Sequence, residues 1–210
     1  MIYSENLLLC IAVPLLIAVP FLHGGVRRFV LAFLMGMIVC ILSAYISGFF
    51  KILAAMETKD TAVYISPVVE EIMKLLPLLF YLFVYLPRDD DLLQVAVAVG
   101  VGFATFENCC YLLSAGTESL SFTLIRGMAV GVMHIVSILF FAFGLVLIRR
   151  FRCMTFSAVL GALALSSTFH GLYNLLVSDP GISSQIGYGM PLVAALMLYA
   201  LYRQMHVPSQ

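Results

Sequence analysis

The amino-acid sequence predicts an all-α protein, a polytopic membrane helix bundle of about seven transmembrane helices that forms a single integral membrane domain over residues 1–210. Of the 210 residues, 63% are hydrophobic and only 10% are charged, whereas soluble domains are less apolar and more charged. The apolar residues occur in long runs separated by short polar connections. The net charge is zero, so the chain has no electrostatic attraction to a nucleic acid.

Seven apolar runs approach the ~20 residues that a helix needs to cross a bilayer. The connections between them are too short to contain a soluble domain, and no internal repeat is present. The runs are roughly Leu7–Leu22, Phe29–Phe50, Ser66–Leu86, Leu92–Ser114, Thr123–Ile148, Met154–Val177 and Ile186–Tyr202.

Serine and proline residues mark the ends or the interior of some of these runs. Pro14 and Pro20 interrupt the first run, which we predict to be a retained helix because no basic region typical of a signal peptide precedes it. The third run opens with Ser66, which can cap a helix, and Pro67, which suits a first helical position. Pro77 should kink the third helix near its middle.

The basic residues predict the orientation of the bundle. Arginine is concentrated in alternate connections and in the C-terminal tail, and the positive-inside rule places that side in the cytoplasm. The N-terminus is therefore expected outside and the C-terminus in the cytoplasm. The arginine-rich side contains Arg27, Arg28, Arg88, Arg149, Arg150, Arg152 and Arg203, and the other side contains Lys51 and Lys59.

Polar and ionisable residues inside the apolar runs predict a functional site. With the orientation above, Glu70 lies ~6 Å, Glu107 and His170 ~10 Å and His134 ~16 Å from the outer ends of their helices. Ionisable groups from four helices thus share the outer half of the membrane. Burying such groups in lipid is costly, so their presence there indicates a functional site. The embedded residues are Glu70, Glu71, Lys74, Glu107, Asn108, Arg126, His134, His170 and Asn174.

Each embedded residue also has a purely structural explanation. Residues three or four apart on a helix face one another, so they can neutralise or hydrogen-bond each other without any further role. Arg126 lies near a helix end and is expected to snorkel to the interface. The pairs with this spacing are Glu70–Lys74, Glu71–Lys74, Glu107–Tyr111 and His170–Asn174.

Small residues and cysteines are interpreted as packing residues. Gly100, Gly102 and the Gly127-x-x-x-Gly131 pair are expected to let helices approach closely. The five cysteines, Cys10, Cys40, Cys109, Cys110 and Cys153, show no disulfide framework or zinc-knuckle spacing. A metal role for the two cysteines that follow Glu107 is a minor alternative.

The embedded residues fit two kinds of hydrolytic site. In the first, a poorly solvated glutamate activates water, Lys74 offsets one carboxylate, and a histidine or Asn174 stabilises an oxyanion. In the second, His134, His170 and Glu107 bind zinc and another glutamate acts as base. No HExxH motif supports the metal alternative.

Transport by an ion- or proton-binding protein is the alternative to hydrolysis, because carboxylates and histidines at depth also form proton relays. A transporter should show repeats or paired broken helices and polar groups across the inner half of the membrane. The sequence shows neither, which favours a cavity open to one side. A purely structural assembly protein is a third alternative.

Four motifs, in order, resemble those of the PrsW family of intramembrane proteases, which is related to the type II CAAX prenyl endopeptidases and bacteriocin-processing proteins. "VVEEIMKLL" matches an EExxK element, and "GFATFENCCYL" is similar to a GFAxxENxxY element. "RGMAVGVMHIVSILFFAFGL" and "FHGLYNLL" resemble the segments that carry the later histidines. The resemblance implies a catalytic core of about residues 62–178, with the first two helices outside it.

This resemblance implies a multi-pass endopeptidase that acts in regulated proteolysis, with a non-proteolytic family member that binds partners as the alternative. Its implied partner is a single-pass, anti-sigma-factor-like substrate cut on the extracytoplasmic side of a plasma membrane, as in bacteria. The implied cofactor is either one zinc ion or none, since such proteases are treated as metal-dependent or as glutamate-only. The implied catalytic residues are Glu70, Glu71, Glu107, His134, His170 and Asn174, with Lys74, Asn108, Tyr111 and Arg126 in support.

Overall fold

The structure, a computed structural model, describes residues 4–115, 119–150 and 155–206. All regular secondary structure in these ranges is helical, which confirms the predicted all-α class. The helices are α1 (Ser4–Ala18), α2 (Gly24–Leu53), the three-residue α3 (Thr58–Asp60), α4 (Ser66–Tyr85), α5 (Asp89–Ala115), α6 (Leu120–Arg150), α7 (Thr155–Val177) and α8 (Ile182–His206).

Six of the long helices are sufficiently long and apolar to cross a membrane: α1, α2, α5, α6, α7 and α8. The seventh, α4, is 20 residues long but contains Glu70, Glu71 and Lys74 within its apolar sequence. The prediction of a membrane helix bundle is therefore confirmed. The predicted direction of insertion stays a prediction.

The helical backbone begins before α4, at Thr58, and passes through a π-helical turn over Thr61–Ile65. Pro67 explains this turn, because proline has no N–H group to donate to the carbonyl of Val63 four residues earlier. Turns of this kind are common at functional sites. They free backbone carbonyl groups for partners on other helices.

Helix α7 packs against the freed carbonyl groups of the π-helical turn. The side-chain amide of Asn174 donates to the carbonyl of Ala62 over 2.8 Å. A Cβ atom on Gly171 would lie only 3.2 Å from the carbonyl oxygen of Val63. The expectation that Ser66 caps α4 is wrong, because Ser66 already lies inside helical backbone and makes no capping hydrogen bond.

Glycines set the closest approach of α5 to its neighbours. A Cβ atom on Gly36 would overlap the carbonyl oxygen of Val99, and one on Gly102 would overlap the carbonyl oxygen of Phe33. The close packing predicted at Gly102 is thus an α2–α5 contact. The predicted packing at Gly100 is an α5–α6 contact, where a Cβ atom would lie 3.1 Å from Ile135 Cα.

The Gly127-x-x-x-Gly131 pair does not pack closely, contrary to the prediction. No atom lies within 4 Å of where a Cβ atom would stand on either glycine. Gly127 instead lines a small cavity beside Asn108, Tyr111 and Arg126. The spacing is the same as in a packing motif, but among the described residues no other helix approaches these two glycines closely.

Ion pairs hold the arginine-rich end of the bundle together. Arg28 pairs with Asp91 over 2.8 Å, and Arg149 pairs with Asp89 over 3.0 Å. These bonds join α2 and α6 to the first turn of α5, where acidic residues also complement the helix dipole. Both pairs are partly exposed to solvent, with side chains that are 12–42% exposed, so each pair adds only a modest amount of stability.

Candidate active site

Lys74 on α4 lies at the centre of the polar cluster. Its side chain has no exposed surface, and Nζ donates to Glu71 Oε1 over 2.6 Å and to Ser137 Oγ over 2.9 Å. The Nδ1 atom of His134 lies 3.1 Å from the same nitrogen. An ammonium group has three donors, so these three contacts use all of them. The ring of Phe103, 5.1 Å from Nζ, covers the charge.

The proton on His134 can be placed from its neighbours. A lysine ammonium group can only donate, so Nδ1 of His134 accepts from Lys74 and Nε2 carries the ring proton. Nε2 lies 2.5 Å from Glu107 Oε2 on α5, to which it donates. Lys74 therefore orients His134 so that its Nε2–H group points at a carboxylate.

His170 on α7 is oriented in a similar way by Glu71. The Nδ1 atom of His170 lies 2.8 Å from Glu71 Oε1, and the carboxylate can only accept, so Nδ1 donates. Nε2 of His170 then has a lone pair, which lies 3.7 Å from Glu70 Oε2. This Glu70 oxygen is buried and has no hydrogen-bond partner.

His170 Nε2 and Glu70 Oε2 are thus two acceptor atoms that face each other across a short gap. Facing acceptors repel unless a proton, a water molecule or a cation lies between them. The rings of His134 and His170 stand perpendicular with centroids 5.1 Å apart. The gap between Glu70 and the histidines is therefore the position where a reacting group or a metal ion fits.

Arg126 lies on the other side of Glu107. The prediction that its side chain extends to the membrane interface is wrong. Its guanidinium group donates to Asn108 Oδ1 over 2.5 Å and lies 3.7 Å from Glu107 Oε1. The same group stacks 3.5 Å above the ring of Tyr111. Asn108 and Tyr111 therefore hold Arg126 at the edge of the cluster.

The cluster is closed on one side and open on the other. The side chains of Glu71, Lys74 and His134 have no exposed surface, whereas those of Glu70 and Glu107 are 18% and 34% exposed. Among the described residues of the cluster, the open side is therefore bordered by Glu70, Glu107 and the partly exposed Arg126.

Asn174 is the predicted site residue that the structure directs elsewhere. Its amide donor is used by the carbonyl of Ala62 in the π-helical turn. The amide nitrogen has a second N–H group, so the expected role of Asn174 as an oxyanion donor stays a prediction. Its visible role is to fix α7, and with it His170, against the start of α4.

The chain matches the model of a known protein family. A model of the PrsW family of intramembrane metalloproteases matches residues 25–202. The chain belongs to the PrsW family. The matched range covers all four motifs, most of α2 and most of α8, so it extends beyond residues 62–178, and the expectation that the second helix lies outside the resemblance is wrong. Neither the curated proteins nor the solved structures contain a match to this chain.

Membership of the PrsW family supports intramembrane proteolysis by a multi-pass membrane protein whose substrates are themselves membrane proteins. The family description also raises the question of a metal ion. In the described part of the chain, one group of side chains has metal-ligand spacing: ligand atoms of Glu70, His134 and His170 lie within 4.8 Å of one another. This set replaces Glu107, which we had predicted as the carboxylate ligand, with Glu70.

These three residues of the PrsW-family chain fit a zinc ion by their chemistry. Two histidines and one glutamate form a catalytic zinc set, and two ligands of one zinc ion lie about 3.4 Å apart. The unpartnered Glu70 oxygen and the lone pair of His170 are close to that spacing. The hydrogen bond from His170 Nδ1 to Glu71 is the kind that orients histidine ligands in metal sites.

The charge balance of the cluster also favours a bound cation. Three carboxylates, Glu70, Glu71 and Glu107, face two cations, Lys74 and Arg126, which leaves one negative charge when both histidines are neutral. A buried excess charge is costly unless a cation or proton compensates it. The free cysteines among the described residues, Cys10, Cys40, Cys109 and Cys110, take no part in the group with metal-ligand spacing. Cys153 lies outside the described residues.

Two serines of the PrsW-family site were missed by the sequence analysis. Ser137 accepts from Lys74 and donates to the carbonyl of His134, and Ser166 on α7 donates to the carbonyl of Ser137 over 2.6 Å. Both are fully buried. A signal was available for Ser137, because it follows His134 by three residues and shares its helical face.

Proposed function

We propose that this chain is an intramembrane endopeptidase that cuts a single-pass membrane protein at the end of the bundle opposite the arginine-rich end. The observation that carries the proposal is the buried, unpartnered Glu70 oxygen facing the lone pair of His170. The proposed substrate resembles an anti-sigma factor and is cut on its extracytoplasmic side. The proposed location is a bacterial plasma membrane.

Glu70 is the residue we assign to the attacking water. In the hydrolytic step, the water oxygen bonds to the peptide carbonyl carbon while Glu70 takes one of its protons. The carbon–nitrogen bond then breaks, and the same proton passes from Glu70 to the leaving amine. His170, held by Glu71, keeps its lone pair directed at the water and fixes its position.

The negative oxygen that develops on the substrate needs a donor. The Nε2–H group of His134, which Lys74 orients, donates to Glu107 at the edge of the cluster and would have to transfer this hydrogen bond to the substrate oxygen. Preorganised donors of this kind lower the barrier of acyl transfer. Arg126 provides positive charge at the same edge and is 17% exposed, so it can also bind the substrate backbone.

Glu70, His134 and His170 are the residues that would hold a zinc ion, which when bound supplies Lewis-acid activation of water and carbonyl. His134 would bind such an ion through Nε2 only in place of the hydrogen bond that this atom donates to Glu107, and Glu107 would then be the carboxylate left to accept the proton from the water. Glu70 is essential in either arrangement, as proton acceptor or as ligand.

The interior below the cluster supports hydrolysis over transport. The helices continue toward the arginine-rich end through an apolar core that includes Leu78, Val95, Ile138 and Phe141, all buried. A proton or ion pathway would need polar groups there. The polar cluster therefore has access from one side of the described bundle.

Comparison of cellular membrane proteins tests the proposed activity. Cells with the wild type and cells with Glu70→Gln/Glu71→Gln are compared by mass spectrometry of terminal peptides, after both proteins are shown to be folded and equally abundant. We expect one single-pass protein to lose its ectodomain only with the wild type. Identical terminal peptides in both samples would contradict proteolysis and would make an ion or proton flux assay the next experiment.

A zinc measurement tests the proposed ligand set. We expect the purified protein to contain about one zinc ion per chain, and chelation to stop cleavage, because the ligands form a site only in the folded state. His170→Ala and Glu70→Gln should lose the metal, whereas Glu107→Gln and the exposed His23→Ala should keep it. Full activity in a metal-free sample would remove zinc from the mechanism and leave Glu70 as the base.

A further inference from the structure

A long groove runs along the bundle between α2 and α4, with α5 as its floor. Its volume is about 990 Å³, and it extends from Arg27 to Leu42 on α2, which is roughly 22 Å of helix. Its walls are apolar and include Met35, Leu76 and Phe80, whose side chains are 42%, 51% and 62% exposed.

Arginine residues surround the end of the groove at the α4–α5 connection. Arg27, Arg28 and Arg88 all line this mouth, together with one carboxylate, Asp91. Asp91 pairs with Arg28 over 2.8 Å and with Arg88 over 3.4 Å. The lining residues of the mouth thus include three guanidinium groups, two of them paired with the single carboxylate, and their net charge is positive. Guanidinium groups bind phosphate through paired hydrogen bonds.

We propose that this groove binds an anionic glycerophospholipid. The phosphate and the charged headgroup bind at Arg27, Arg28 and Arg88, and an acyl chain lies along the apolar walls toward Leu42. The length fits, because the hydrocarbon core of a bilayer is about 30 Å thick and one chain occupies about half of it beyond the headgroup. This site is separate from the proposed proteolysis and does not depend on it.

A transmembrane helix of a substrate is the other occupant that an apolar groove could accept. The positive-inside rule places lysine and arginine at the cytoplasmic flank of such helices. By that rule the arginine-rich end is also cytoplasmic, so a helix in the groove would bring cations against three arginines. Charge complementarity therefore favours a lipid phosphate.

A second groove in the same bundle provides an internal comparison. It lies among α2, α5, α6 and α8, has a volume of about 880 Å³, and its described polar lining includes Asp90 and Gln94 but no arginine. Its size and apolar character are similar to those of the groove between α2 and α4. We therefore expect it to contain lipid without preference for an anionic headgroup.

Lipid retention in nanodiscs tests the proposal. The full chain is reconstituted in equal amounts of phosphatidylglycerol and phosphatidylcholine, and the lipids that remain bound are identified by native mass spectrometry. We expect enrichment of phosphatidylglycerol, reduced about fivefold by Arg27→Gln because this substitution removes one of the three cations at the mouth of the groove. Arg203→Gln, an exposed arginine on α8 outside the groove, is the matched control and should leave the enrichment unchanged.

A second pair of variants tests the apolar part of the groove. Met35→Trp narrows the groove, whereas Met128→Trp alters an exposed position on α6, so only Met35→Trp should lower the amount of retained lipid. Equal retention of the two lipids by the wild type would overturn the proposal, as would equal effects of Arg27→Gln and Arg203→Gln. Capture of a polypeptide and no lipid by a photo-crosslinker at position 35 would also overturn it.

Discussion

Glu70→Gln is expected to lower the cleavage rate of the reconstituted protein by about 10²–10⁴-fold, the usual contribution of a general base. Glutamine has nearly the same shape but accepts no proton and is a poor zinc ligand. The Oε2 atom of Glu70 has no hydrogen-bond partner, so this substitution removes little structural bonding. The unfolding temperature should therefore stay close to that of the wild type.

The neighbouring glutamate should behave differently. Glu71 Oε1 binds both Lys74 and His170, so Glu71→Gln should lower the rate and the unfolding temperature together. Glu57→Gln, at an exposed glutamate before α3, is the control and should change neither. A Glu70→Gln protein that cleaves at the rate of the wild type would refute the assignment of the site.

Lys74→Met is expected to lower the free energy of unfolding by about 3–5 kcal/mol, the usual cost of removing one partner of a buried ion pair. Methionine fills a similar volume but leaves Glu71 as a fully buried carboxylate without its cation. It also removes the donor that fixes the tautomer of His134. Denaturant unfolding in detergent micelles measures the effect.

Two further variants separate charge burial from simple packing. Arg126→Lys keeps a positive charge at a site that is 17% exposed, so it should cost less than Lys74→Met. Lys74→Met/Glu71→Leu removes both buried charges and should recover part of the lost stability, because an apolar pair can replace a buried ion pair. A larger loss in Arg126→Lys than in Lys74→Met would show that Lys74 is not the central buried charge.

The helices could be predicted because a long apolar run of about 20 residues is typical of a helix that crosses a membrane. Their ends could not be predicted as well. Helix α2 begins at Gly24, although Arg27 and Arg28 had suggested a loop up to Phe29. Arginine is a good helix former, and the partner that accommodates Arg28 is Asp91, 63 residues away. Such a pairing is tertiary and leaves no trace in local sequence.

The membership of the polar cluster was also predictable, because each charge in an apolar helix needs a partner. The bonds inside the cluster were not. Adjacent Glu70 and Glu71 look equivalent in sequence, yet one faces a lone pair and the other binds Lys74 and His170. The diversion of Asn174 depends on a backbone carbonyl freed in the π-helical turn, which helical periodicity does not reveal.

The position of the cut in a natural substrate is the most direct test of the proposed active site. A single-pass protein that loses its ectodomain in cells is reconstituted with wild-type protein or with Glu70→Gln, and the new termini are sequenced by mass spectrometry. We expect a cut in the half of the membrane away from the arginine-rich end, made by the wild type alone. A cut near the arginine-rich end, or the same cut made by Glu70→Gln, would contradict the assignment.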